Sequence, residues 1–170
     1  VQKIVTPSGM VATFEGSAVR ELSAHDPQRH RLPVTVQLRG SVPGEQLTMW
    51  DAFNALDLMI VTSQMAAEIR AFSDRDWPLR RARVFCQGAQ LDKDFVVLII
   101  DVHAQVGVLR ATEADWTPDA AYPVQPEAHL EHELALDKEL LFPVLSDELV
   151  NHLRRAGFSF EARRYPVSRT

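Results

Sequence analysis

Six consecutive apolar residues, Phe95-Val96-Val97-Leu98-Ile99-Ile100, constrain this chain more than any other stretch. Four of them are β-branched, and no polar side chain interrupts them. A strand with a wet face alternates apolar and polar residues, so an unbroken run reads as a strand covered on both faces. Such a strand needs neighbours on either side and a layer above and below. The remaining sequence has to supply both.

The first third supplies strands. Met10 to Phe14 and Ala18 to Leu22 are short and bounded by Gly16 and the polar stretch His25-Asp26-Pro27-Gln28. Val34, Val36 and Leu38 alternate with Thr35, Gln37 and Arg39, the period of a half-buried strand, and Val42-Pro43-Gly44 closes it with turn residues. Val106 to Leu109 is expected to pair beside the apolar run.

Two later segments read as copies of one unit. Leu58-Met59-Ile60-Val61 leads through Thr62 to Ser63 and a helix with Met65, Ala66, Ile69 and Phe72 on one side. After Trp77-Pro78 the strand Arg81 to Cys86 follows, with Ala82, Val84 and Cys86 on one face. Near the end, Leu141 to Leu145 leads to Ser146 and a helix aligning Leu149, Val150, Leu153 and Ala156. That helix stops at Gly157, and Phe158 to Ala162 resumes strand alternation. Each serine is expected to cap its helix, its hydroxyl accepting an orphan backbone N–H. Asp147 and Glu148 suit the positive end of the helix dipole, and Gly157 suits a left-handed C-cap. From Glu127 to Asp137, Ala128, Leu130, His132, Leu134 and Leu136 alternate with Glu127, His129, Glu131, Glu133 and Asp137. This reads as a strand with its acids in solvent; a helix starting at Pro126 is the rival. The expected fold is α+β: a mixed, mostly antiparallel sheet with two short strand-Ser-helix units packed on it. One domain over 1–170 is expected, with a β-rich N-terminal part over 1–45.

Composition bounds the function. Hydrophobic residues at 46% and charged ones at 24% argue for a globular chain rather than a disordered one. The longest apolar run falls far short of the roughly 20 residues that span a bilayer, and VQKIVTPSGM has no apolar signal core. The chain opens at Val1, which allows for a native start upstream. Cys86 is the sole cysteine, so no intrachain disulfide forms and a reducing, cytoplasmic setting is expected. A pI near 5.7 disfavours nucleic acid; Arg80, Arg81, Arg83, Arg163 and Arg164 are too few and too divided to reverse it. Neither GxGxxG, P-loop nor GxSxG motif is present, and seven glycines leave little for a phosphate loop. No cofactor is expected.

Two constellations invite a chemical reading. His129 and His132 beside Glu131 and Glu133 have neither the spacing nor the order of a zinc-protease motif, and on a strand the two rings would point apart. No metal is expected there. Cys86, Asp101 and His103 are the residues from which a nucleophile, base and orienter would be drawn; burial of Cys86 and a strand-end position for His103 are the plainer reading.

Charge is concentrated elsewhere. Thr112 to Glu139 carries eight carboxylates against the single cation Lys138, a net −7 in a chain of net −5. Trp116, Tyr122 and three prolines lie among these acids. A solvated acidic face is the plain explanation. Carboxylates that steer an encounter, around aromatic rings that supply burial, are also what docking of a basic protein requires. The candidate partner-binding residues are Asp115, Trp116, Asp119, Tyr122, Glu127, Glu131 and Glu133.

The order of Ile60-Val61-Thr62-Ser63, the Arg81-Ala82-Arg83-Val84-Phe85 strand, Asp94-Phe95-Val96-Val97-Leu98 and the late Leu141 to Phe160 segment resembles immunity-protein family eleven of bacterial polymorphic toxin systems. The resemblance covers residues 50–162. It implies a non-enzymatic cytoplasmic protein that binds a cognate toxin domain and neutralises it, with no shared catalytic residues to carry over. The interface residues above rest on charge and aromatics, not on the resemblance. The alternatives are a protein- or ligand-binding module and a cysteine-dependent enzyme.

Overall fold

A computed structural model of the chain describes residues 1–6, 10–14, 33–40, 49–55, 58–73, 75–104, 130–137 and 143–164. The strands are β1 (Gln2–Val5), β2 (Met10–Phe14), β3 (Val34–Gly40), β4 (Ala52–Ala55), β5 (Leu58–Thr62), β6 (Leu79–Cys86), β7 (Ala89–Gln90), β8 (Phe95–Leu98), β9 (His103–Ala104), β10 (Leu134–Asp137), β11 (Pro143–Leu145) and β12 (Glu161–Arg164). Helix α1 (Ser63–Ser73) follows β5, and helix α2 (Asp147–Arg155) follows β11. The fold is α+β, with mixed, mostly antiparallel sheets and a half-barrel curl. Two sheets form rather than one. The first runs β12-β1-β11-β10-β9, the second β2-β3-β6-β8-β5-β4 with β7 on β6. Among the described residues only β3 with β6 and β9 with β10 pair in parallel.

Strand β8 is buried on both faces, as its sequence requires. Val96 and Leu98 join a core with Met59 and Val61 of β5, Met65 and Ile69 of α1, Leu149 and Leu153 of α2, and Ile4, Leu134 and Leu145 of the other sheet. Phe95 and Val97 face a second core with Val34, Val36, Leu38, Ile60 and Val84. There Phe53 meets Phe95 edge to face, 5.6 Å between centroids.

The two strand–helix units share one topology. Strands β5 and β6 both pair antiparallel with β8, which therefore lies between two parallel strands joined by α1. Strands β11 and β12 likewise both pair antiparallel with β1 and are joined by α2. Each unit is thus a β-α-β crossover split by one antiparallel strand. The helices meet where the His152 ring nitrogen lies 2.6 Å from Glu68 Oε1 and its ring lies 4.5 Å from that of Phe72.

Capping differs between the copies. Ser146 caps α2, its hydroxyl accepting from Leu149 N–H at 3.0 Å. At α1 it is Thr62, not Ser63, whose hydroxyl accepts from Met65 N–H, at 3.4 Å. Ser63 is the first residue of α1, one position past the cap, and its hydroxyl donates to Asp94. Ser146→Ala should therefore destabilise the protein by about 1 kcal/mol or more, whereas Thr62→Ala should cost α1 more of its capping than Ser63→Ala; urea unfolding of the three variants checks the order. Gly157 takes φ +91° and closes α2 with paired bonds, Gly157 N–H to Arg154 C=O and Phe158 N–H to Leu153 C=O.

Three expectations need correction. Residues 130–133 are not strand, and β10 begins at Leu134. Asp137 does not stand in solvent with the other acids: it is fully buried, because β10 is an interior strand flanked by β9 and β11. Strand β12 begins at Glu161 rather than Phe158, since Ser159 is held by Asp51. Ala18 to Leu22 and Val106 to Leu109 lie outside the described residues. Strand β4 was not foreseen, because Ala-Phe-Asn-Ala carries neither alternation nor β-branching.

Candidate functional site

Each helix starts beside an acid that clasps its serine. Asp94 immediately precedes β8, and Glu133 immediately precedes β10. Ser63 N–H donates to the Asp94 carbonyl at 2.8 Å and its hydroxyl to Asp94 Oδ2 at 2.7 Å. Ser146 N–H donates to the Glu133 carbonyl at 2.9 Å and its hydroxyl to the Glu133 carboxylate. The clasp follows from register: each serine extends a strand whose antiparallel partner begins one residue after the acid.

Glu133, a candidate interface acid, is thus half-buried and engaged in positioning α2. Glu131, two residues earlier, is exposed. Asp115, Trp116, Asp119, Tyr122, Glu127 and also His129 lie outside the described residues. The structure therefore brings together only the end of the acidic segment, as a bend leading into β10.

The Cys86, Asp101 and His103 set is dispersed. Cys86 is 3% exposed and packs with the second core on β6, while His103 is exposed on β9, the edge of the other sheet. Asp101 pairs with Arg75 at 2.8 Å. Burial pushes the Cys86 thiol pKa up from its ordinary value, away from the thiolate a nucleophile needs. A thiol reagent at neutral pH should leave Cys86 unmodified in the native protein and label it on unfolding. Rapid native labelling, with a rate that titrates below the ordinary thiol range, would contradict this placement.

A polar junction that sequence reasoning missed ties the two units together. Asp51 Oδ1 receives Lys93 Nζ at 3.1 Å, and Asp51 Oδ2 accepts from Ser159 N–H at 2.8 Å. The Asp51 backbone donates to the Ser159 carbonyl at 2.7 Å and accepts from Thr62 N–H at 2.8 Å. The partners come from far along the chain, so no local pattern announces them. This arrangement is positioning, not chemistry.

Beside it lies a cleft of about 410 Å³, lined by Pro33, Arg81, Arg83, Gln90, Lys93 and Asp94 among others. Among the described residues no group of three or more His, Cys, Asp or Glu side chains is placed to hold a metal ion. Compared with protein-family models and with curated proteins, the chain matches none.

Proposed function

We propose that this chain is an immunity protein that binds and neutralises a cognate antibacterial toxin, using its acidic segment to occlude a basic active site or substrate groove. The observation that carries this reading over the cysteine-enzyme alternative is the burial of Cys86 in a sheet that does not hold His103. The support from sequence is the ordered resemblance over residues 50–162 and the density of carboxylates around Trp116 and Tyr122. The exposure of Glu131 leaves a carboxylate in solvent where that segment enters β10. In this reading Trp116 and Tyr122 supply binding energy. Asp115, Asp119, Glu127, Glu131 and Glu133 supply charge, with Glu133 also fixing the start of α2. Neutralisation needs no cofactor and takes place in the cytoplasm. Among the described residues no helix is long and apolar enough to cross a membrane.

The test uses the intact chain and the C-terminal domain of the protein encoded next to it. A stable complex should form, and its affinity should fall as salt rises, mainly through slower association. No complex, or one indifferent to salt, would contradict an acidic docking surface.

A further inference from the structure

We propose that the cleft over β6 is a binding site for a phosphate-bearing small molecule, gripped by Arg81 and Arg83. This does not rest on the immunity reading. Strand β6 alternates: Arg80, Ala82, Val84 and Cys86 turn to one face, Arg81 and Arg83 to the other, where both are exposed. On the opposite face Val84 and Cys86 anchor the second core, so the backbone carrying the two arginines is held rigidly from behind.

Among the described residues neither guanidinium meets a carboxylate or any other hydrogen-bonding partner. In a chain with 23 acids and 18 Lys and Arg residues, two neighbouring unpaired arginines are a concentration of free positive charge. Of the cleft's other charged residues, Lys93 pairs with Asp51 at 3.1 Å, while Asp94 accepts from the neutral Ser63 hydroxyl at 2.7 Å and keeps its charge, which leaves two arginines against one carboxylate. Gln90, exposed at the rim, adds a neutral donor.

The cleft lies beside a strand-to-helix junction. Thr62 pairs with Phe95, and Phe95 pairs with Ala82, so α1 begins at the same end of the sheet, about 10 Å or two strand spacings from β6. Its first turn holds no acid, and Asp94, bonded to the Ser63 hydroxyl, offsets the positive end of its dipole from outside the helix. The cleft's volume of about 410 Å³ suits a small molecule rather than a macromolecule.

The residue chemistry selects the ligand class. Arg81 and Arg83 are two residues apart on one strand face, roughly 6–7 Å along the backbone. Two forked guanidiniums at that spacing can converge on one many-oxygen anion or bridge adjacent phosphate groups. Among the described residues that line the cleft there is no aromatic ring to stack a base. Recognition therefore centres on the phosphates, as in a condensed phosphate or a sugar phosphate.

Titration calorimetry of the intact chain with tripolyphosphate tests this. Saturable binding is expected, weakened at least about tenfold in R81A/R83A. R81K/R83K should fall between them, because lysine keeps the charge but loses the fork. Arg155→Ala, an exposed change on α2, should bind as the parent does. Both cleft arginines are solvent-exposed, so the double variants should unfold at the parent's temperature, which a melting curve verifies. Absence of saturable binding, or equal binding by the parent and R81A/R83A, would overturn the proposal. Citrate binding as tightly as tripolyphosphate would overturn its assignment to phosphate.

Discussion

Trp77→Ala should lower the unfolding free energy by about 3–5 kcal/mol, the range for removing a large aromatic side chain from a packed interior. The indole is fully buried and belongs to the core that both helices and both sheets share. Its Nε1–H donates to the Ser73 hydroxyl at 2.9 Å, and that hydroxyl donates to the Ile69 carbonyl at 2.7 Å. The ring thus also fastens the last turn of α1. The Arg75 guanidinium lies over it, 4.6 Å from the ring centre. Contacts made by the Trp77 backbone survive the substitution: its carbonyl still accepts from Arg70 Nε and Nη2 at 2.9 and 2.6 Å. The loss is therefore chiefly the ring's burial, the void it leaves and the hydrogen bond to Ser73. Urea unfolding should show a lower midpoint with an unchanged slope, and Trp77→Phe should recover part of the loss. A cost below about 1 kcal/mol for Trp77→Ala would contradict the indole's place in the core.

Trp116→Ala should weaken the proposed toxin complex by roughly 30-fold or more, equivalent to about 2 kcal/mol or above. An aromatic anchor that loses its water on docking carries energy held in the dissociation rate, whereas a rim carboxylate acts on the encounter. Glu127→Ala should accordingly slow association and change dissociation little. Surface plasmon resonance at two salt concentrations separates the two effects. Small and equal effects from both substitutions would remove this segment as the interface.

Much of the fold is legible in the sequence because it is written in periodicity. The unbroken run at β8 announces two-sided burial, and the alternation in β3 and β6 announces strands with one apolar face; that these faces meet in a second core is seen only in the structure. The Leu149, Val150 and Leu153 spacing together with Gly157 announced α2 and its end. What escaped was written in long-range contacts. Trp77 read as punctuation before a strand, since a lone aromatic outside any periodic segment gives no sign of its depth. Asp51 belongs to no local pattern in the sequence, although its carboxylate joins positions 42 and 108 residues away. Asp137 matched an acid-outward pattern, but alternation does not reveal whether a strand lies at the edge or the interior of its sheet. Ser63 and Ser146 looked equivalent; the acid preceding each partner strand fixes both, yet only Ser146 keeps its hydroxyl for the helix.

The candidate sites divide in the same way. The acidic segment is conspicuous in composition, and of its candidate residues the structure describes only Glu131 and Glu133. Arg81 and Arg83 are visible one by one in the sequence. That neither guanidinium has a partner among the described residues, and that a cleft lies beside them, emerges only from the folded chain.

The central claim is neutralisation, and co-expression tests it most directly. The C-terminal domain encoded beside this chain would be induced in cells with and without the chain, and growth followed. The account predicts arrest without it, growth restored with it, and rescue reduced by Trp116→Ala at equal protein level. A neighbour domain that is harmless alone, or toxic and not rescued, would contradict it.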